Sequence, residues 1–376
     1  MKKLRVAVLY GGRSGEHEVS LQSAASVINY LDRDRFEIVP VAIDKQGRWH
    51  LNDISLLEGK KSLPVYENAP RIVLPPGPAE TGSDSALIGI GEGGEARGID
   101  VVFPVMHGPL CEDGTIQGLL ELADLPYVGC GVLASALAMD KEMAKRVARD
   151  AGIPIVPYVS LKHEVWKKEK QQFATRIEEQ LGYPVFVKPA NLGSSVGVHK
   201  VKESGELNAA LEDAFDFDRK VLVEAAVDAR EIELSVLENL EAGADPLVST
   251  PGEIDPAHEF YSYEAKYLDE KGAALIIPAK LDPEETKRAQ AIGRKVFTAL
   301  ECEGMARVDL FLDRTSGEFF FNELNTIPGF TSISMYPKLW EASGIGYREL
   351  LSKLVDLAIW RHEKKKTLVR EFRTEK

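Results

Sequence analysis

LRVAVLYGGRSGEHEVSLQSAASVINYLDRDRFEIVPVAI, residues 4–43, changes periodicity twice. Residues 4–10 form a β-branched apolar run that stops at Gly11-Gly12. From Glu18 to Leu31 the apolar residues Val19, Leu21, Ala24, Ala25, Ile28 and Leu31 recur at helical spacing, and residues 36–43 return to a short apolar run. Strand, helix, strand in that order predicts parallel strands joined by a helical crossover, which opens an α/β domain.

Further along, a buried strand is expected at 100–105 and a helix at 115–123, with a Gly, Pro and acid-rich insertion at 75–98 whose only structured part is 86–90. A single helix at 133–151 ends at the stop signal Gly152-Ile153-Pro154. Strands follow at 184–188, 197–201 and 220–224 with a helix at 204–215, then strands at 231–237, 275–278, 304–312 and 318–325. Helices at 283–300 and 347–362 complete the chain, and Arg361, Lys364, Lys365, Lys366, Arg370 and Arg373 are expected to form a solvated basic tail.

The chain has 376 residues, enough for about two to three domains. Hydrophobic residues at 44% and charged residues at 28% support a packed core. A net charge of −13 without a compensating basic tract argues against nucleic acid or an anionic membrane as the main partner. Cys111, Cys130 and Cys302 are too scattered for a disulfide framework or zinc set, and are expected to be small buried hydrophobes in a reducing compartment. The N-terminal apolar run is too short for a signal peptide, so a soluble cytoplasmic protein is expected.

Spacing singles out Arg307-Val308-Asp309-Leu310 and Asn322-Glu323-Leu324-Asn325. Residues two apart on a strand share a face, so Arg307 and Asp309 point one way, and Glu323 and Asn325 likewise. A hairpin centred on Ser316 sets Asp309 opposite Glu323, with Asn325 one step along. Opposed carboxylates call for a cation, and oxygen donors without His or Cys suit Mg²⁺; an exposed hairpin with solvated acids is the plainer alternative. Lys188-Pro189-Ala190-Asn191-Leu192-Gly193-Ser194-Ser195-Val196-Gly197 puts a lysine before a loop of small residues, whose N–H groups can wrap phosphate or simply turn the chain. It is not a P-loop, and Tyr10 stands where a dinucleotide fingerprint needs glycine. Glu16 and Glu18 either cap the first helix or hold a substrate ammonium. His107-Gly108 is a ligand-facing or a structural turn, and Tyr263-Glu264-Ala265-Lys266-Tyr267 has the composition of a lid.

In this order the segments resemble the D-alanine:D-alanine ligases of the ATP-grasp superfamily. The resemblance covers residues 4–354 and also takes in Glu112-Asp113-Gly114-Thr115-Ile116-Gln117-Gly118, Tyr127-Val128-Gly129, Met139-Asp140-Lys141 and Asn325-Thr326-Ile327-Pro328-Gly329-Phe330-Thr331. It implies three α/β domains, 1–129, 130–224 and 225–376, with ATP between the second and third. The implied reaction makes D-alanyl-D-alanine, a peptidoglycan precursor, from ATP and two D-alanines through an acylphosphate, with two Mg²⁺ or Mn²⁺ ions.

By the same resemblance Lys141 and Lys188 hold phosphates with Ser194 and Ser195 in the loop, Lys266 reaches the γ-phosphate, Glu224 and Glu231 bind adenosine, and Asp309, Glu323 and Asn325 bind metal. Arg307 and the Gly329 amide stabilise the oxyanion. Glu16, in a network with Ser194 and Tyr267, takes the first ammonium, with His107 near that carboxylate; Ser334 and Lys266 meet the second carboxylate. Tyr267 favours a dipeptide product over D-alanyl-D-lactate, the same-fold alternative; a non-catalytic ATP-binding module is the other. Ala225 replaces a lysine that some members carry beside adenine. A homodimer is the family precedent.

Overall fold

The computed structural model describes residues 2–77, 86–90, 97–241, 243–256 and 273–369. The expected lid motif, residues 263–267, and with it Lys266 and Tyr267, lies outside the described residues. The opening segment forms β1 (Leu4–Gly11), α1 (His17–Tyr30) and β2 (Phe36–Ile43). β1 pairs in parallel with β2 on one side and with β6 (Val101–Val105) on the other. The apolar runs of β1 and β6 are buried throughout Val6–Tyr10 and Val101–Val105, as central parallel strands require. β3 (Trp49–Leu51), β4 (Arg71–Val73) and β5 (Ile88–Gly89) extend the sheet antiparallel beyond β2. The described part of the 75–98 insertion is therefore the edge of this sheet. α2 (Thr115–Leu122) packs Ile116 and Leu120 on its far face.

β7 (Tyr158–Lys162), β8 (Val185–Pro189), β9 (His199–Val201) and β10 (Lys220–Ala225) form a second sheet in the order β7-β10-β8-β9, with every pair antiparallel. α5 (His163–Leu181) and α6 (Leu207–Phe217) cover one of its faces through Trp166, Ile177, Leu211 and Ala214. The third sheet runs β14-β13-β11-β15-β16, with β11 (Ala229–Leu237), β13 (Gly252–Pro256), β14 (Ala273–Ile276), β15 (Met305–Asp313) and β16 (Phe319–Asn325); β12 (Leu247–Val248) pairs with β11.

Two sequence expectations are corrected, the single helix at 133–151 and the solvated tail at Arg361. The helix expected at 133–151 is two helices, α3 (Val132–Met139) and α4 (Lys141–Asp150), because Asp140 leaves helical geometry and its carboxylate accepts from Met143 N–H as an N-cap. Both helices pack through Ala138, Ala144 and Ala148 on the third sheet, beside α7 (Pro283–Ala299). The last helices, α8 (Met335–Ala342) and α9 (Tyr347–Lys366), return to the first core, where Leu350, Leu354 and Val355 meet Val6, Val8 and Ile28.

Arg361 is therefore no tail residue. It is 6% exposed; its guanidinium donates to the carbonyls of Gly129 (2.5 Å) and Tyr127 (2.7 Å) and lies over the Tyr127 ring. Among the described residues no helix is long and apolar enough to cross a membrane.

Candidate active site

One cavity of about 810 Å³ opens between the three sheets, and every described residue given a role by the resemblance lines it; Glu18, the other acid weighed for an ammonium, does not, and pairs with Lys45 at 2.8 Å instead. Its first wall is the start of α1. Gly11 has φ +89°, and a side chain there would run into the Ile43 carbonyl, so only glycine closes this strand end. Ser20 accepts from Gly11 N–H and donates to the Val105 carbonyl, fixing the helix over the ends of β1 and β6. Glu16, at the N-cap position, is thereby aimed into the cavity, where Ser194 Oγ–H donates to its carboxylate. Ser194 and Ser195 both have positive φ, +53° and +60°, the backbone shape that curls the small-residue loop around the cavity.

His107 lines the cavity, yet both ring nitrogens are engaged by the protein. Nδ1 lies 3.0 Å from the Ile327 carbonyl, which can only accept, so Nδ1 carries the proton. Nε2 then accepts from Ser23 Oγ at 3.2 Å, and Ser23 in turn accepts from Phe330 N–H. Burial pushes the imidazole pKa down and keeps it neutral. The ring ties the 327–330 loop, including Gly329, to α1 at the cavity wall.

Glu112 belongs to the same wall, and its role is not legible from spacing. It accepts from Gly108 N–H at 2.7 Å; burial, reinforced by the Glu16 charge, raises its carboxyl to about 8. An unfolded glutamate loses its proton near 4.5, so between 4.5 and about 8 the folded state binds more protons and this group makes stability fall as pH rises. Glu112→Gln is expected to remove that slope, so that the melting temperature of the variant gains on the native protein from about pH 5 to 8. Parallel curves would show that Glu112 is ionised throughout.

The second wall carries Lys188 on β8, whose Nζ lies 2.5 Å from Glu224 Oε2 on β10, with Lys145 of α4 2.8 Å from the other oxygen. Burial would raise the Glu224 carboxyl, but the two ammonium groups outweigh it and hold the pKa at about 2. Lys141, the first residue of α4, donates to the Leu192 carbonyl and lies 3.3 Å from Glu323. Glu231, on β11, lines the same side.

The third wall is the β15/β16 hairpin. Asp309 faces Glu323 and Arg307 faces Asn325, the register expected from a turn centred on Ser316. That register does not run to the tip. From Leu310 outward the pairs are Leu310 with Phe321 and Leu312 with Phe319, and Asn322 is the extra residue of a β-bulge. Without the bulge Asp309 would face Asn322. Arg307 donates to both Asp309 oxygens, at 2.7 and 2.6 Å, and lies 3.2 Å from Glu233, an acid on β11 that spacing had not singled out. Asn325 Nδ2 donates to Asp309 at 3.1 Å. The donor set is two carboxylates and an amide on one face, oxygen only, which fits Mg²⁺ sharing its shell with phosphate oxygens. Ser334 and Gly329 close the cavity, with Ser334 Oγ accepting from Thr331 N–H at 2.9 Å.

Known proteins are similar to this chain over nearly its whole length. The family profile described as D-ala D-ala ligase N-terminus matches residues 5–130, and that described as D-ala D-ala ligase C-terminus matches residues 147–356. D-alanine--D-alanine ligase A of Bradyrhizobium diazoefficiens is 56% identical over 98% of this chain and 99% of its own length. D-alanine--D-alanine ligase of Shouchella clausii is 48% identical over 98% of both chains. The structure of the D-alanine-D-alanine ligase from Coxiella burnetii superposes with TM-score 0.80, 35% identity and 98% coverage of both chains. The VanG D-Ala:D-Ser ligase of Enterococcus faecalis superposes with TM-score 0.80 and 36% identity, covering 95% of this chain and all (100%) of that one. With both profiles matched and relatives this similar from end to end, the chain belongs to the D-alanine–D-alanine ligase family and has its ATP-grasp fold.

Proposed function

We propose that this protein joins two D-alanine molecules at the expense of ATP, releasing D-alanyl-D-alanine, ADP and phosphate for peptidoglycan synthesis. One observation carries the reading: Glu16 from the first core, Lys188 and Ser194 from the second, and Arg307 with the Asp309, Glu323 and Asn325 hairpin from the third face a single cavity. At about 810 Å³ it lies in the size range of small-molecule sites.

The chemistry brings a carboxylate to a triphosphate, so the protein's task is to gather cations and align reactants. Glu16 binds the ammonium of the first D-alanine, and Ser194 orients that carboxylate. Lys141 and Lys188 turn from Glu323 and Glu224 to the nucleotide phosphates, with Lys266 for the γ-phosphate. A D-alanine carboxylate oxygen attacks the γ-phosphorus as the bond to ADP breaks. The amine of the second D-alanine, its carboxylate near Ser334, then attacks the acyl carbon and expels phosphate. Arg307 and the Gly329 N–H stabilise the oxyanion at that carbon. Two Mg²⁺ or Mn²⁺ ions held by Asp309, Glu323 and Asn325 would offset the phosphate charge. We further propose a cytoplasmic homodimer.

Release of ADP with D-alanine, L-alanine, and D-alanine plus D-lactate or D-serine, with the product weighed by mass spectrometry, tests the assignment. The dipeptide from D-alanine alone is the expected result. A depsipeptide made preferentially would instead favour a D-alanine:D-lactate ligase, and a mixed D-Ser product a ligase of the kind named for the Enterococcus structure. No ADP with D-alanine despite tight MgATP binding would rule out the enzyme reading.

Gly108→Ala probes the first amino-acid site. Gly108 has φ +77°, and an added Cβ would lie 2.9 Å from Glu16 Oε2 and 3.1 Å from Ser14 Oγ. Displacing Glu16 is expected to raise the KM of the first D-alanine about tenfold or more, with ATP affinity unchanged. Steady-state kinetics that resolve both amino-acid sites check it.

A further inference from the structure

Glu224 is 2% exposed and shared by two lysines, one on each oxygen. Two cations around one anion leave the trio with a surplus positive charge. Lys188 and Glu224 line the cavity; Lys145 does not, and at 1% exposure it is sealed between α4, β10 and β16, its Nζ 3.3 Å from the Phe321 carbonyl. A buried lysine is costly, and nothing about packing alone requires one here, since apolar side chains of similar volume fill such sites at least as well.

The surplus makes sense if one lysine has to leave. When Lys188 turns toward an anionic ligand, Glu224 would be left as a bare buried carboxylate, which would pull Lys188 back. We infer that Lys145 is a positioning residue for the nucleotide: it keeps Glu224 compensated so that Lys188 is released to phosphate. The inference rests on the reading of Lys188 as a phosphate-binding group.

The test is a cycle of full-length variants, Lys145→Met, Glu224→Gln and the double variant, with Lys188→Met alongside. ATP affinity is measured by calorimetry, D-alanine KM by kinetics, and folding by thermal melts. Lys145→Met is expected to weaken ATP binding about tenfold or more while D-alanine KM stays within about twofold. In the Glu224→Gln background the same change should cost less than about twofold, because no carboxylate is left to hold Lys188. An equal penalty in both backgrounds, or unchanged ATP affinity in folded Lys145→Met, overturns the inference and assigns Lys145 a structural role. If Lys145→Met does not fold, the double variant against Glu224→Gln decides alone: equal affinities support the inference and a tenfold gap overturns it. If Lys188→Met leaves ATP affinity intact, the phosphate reading itself falls; if only Lys188→Met weakens it, that reading stands and the inference falls.

Discussion

Asp309→Asn and Glu323→Gln, made singly, are expected to lower turnover about 100-fold or more at limiting Mg²⁺. Each removes a proposed charged oxygen ligand from the face where two acids and an amide converge, and loss of even a partner behind a metal ligand typically costs ten- to about 100-fold. The two should differ in a way the geometry dictates. Asp309 also holds Arg307 through both oxygens, so Asp309→Asn loosens the proposed oxyanion donor along with the metal. Excess Mg²⁺ should therefore restore Glu323→Gln more fully than Asp309→Asn. A Mg²⁺ titration of kcat checks this, and unchanged turnover at low Mg²⁺ in both variants would remove the hairpin from the metal site.

The largest effect on stability is expected at Arg361, far from the chemistry. Arg361→Met keeps the apolar stem but abandons the Tyr127 and Gly129 carbonyls, which lose both guanidinium donors, and leaves Glu303 without the charge 3.7 Å away. Two orphaned carbonyls at about 1–3 kcal/mol each put the loss near 3 kcal/mol or above, read as a lower urea midpoint. Arg361→Lys should recover less than half, because a single ammonium does not reproduce the planar fork spanning both carbonyls. A midpoint unchanged in Arg361→Met would mean that solvent satisfies those carbonyls without help.

Sequence carried the parts of this molecule whose physics is local. The parallel opening was readable because β1 and β6 are buried on both faces and α1 shows one apolar stripe. α5 escaped notice because Trp166 and Ile177 are its only fully buried side chains, too few to mark a period in a run of Lys, Glu and Gln. Arg361 was misread since a basic cluster looks solvated until a partner element is known; its helix in fact packs on the first sheet. In the site, Arg307, Asp309, Glu323 and Asn325 were legible through two-residue alternation. Lys145 and Glu233 were not, because each acquires its role only when another segment arrives beside it. One local trace did exist: Lys145 lies four residues after Lys141, on the same face of a helix.

The bulge at Asn322 bears on any attempt to engineer this hairpin. Idealising the ladder at constant chain length would set Asn322 opposite Asp309 and rotate Glu323 to the side of Val308, trading the proposed metal ligand for a misplaced acid in the core. A redesign scored on regularity would favour that change. The irregular step is a specification to be frozen, whereas the tip at residues 313–318, on its far side, offers a place to graft a tag or reporter without rewriting the register that the chemistry uses.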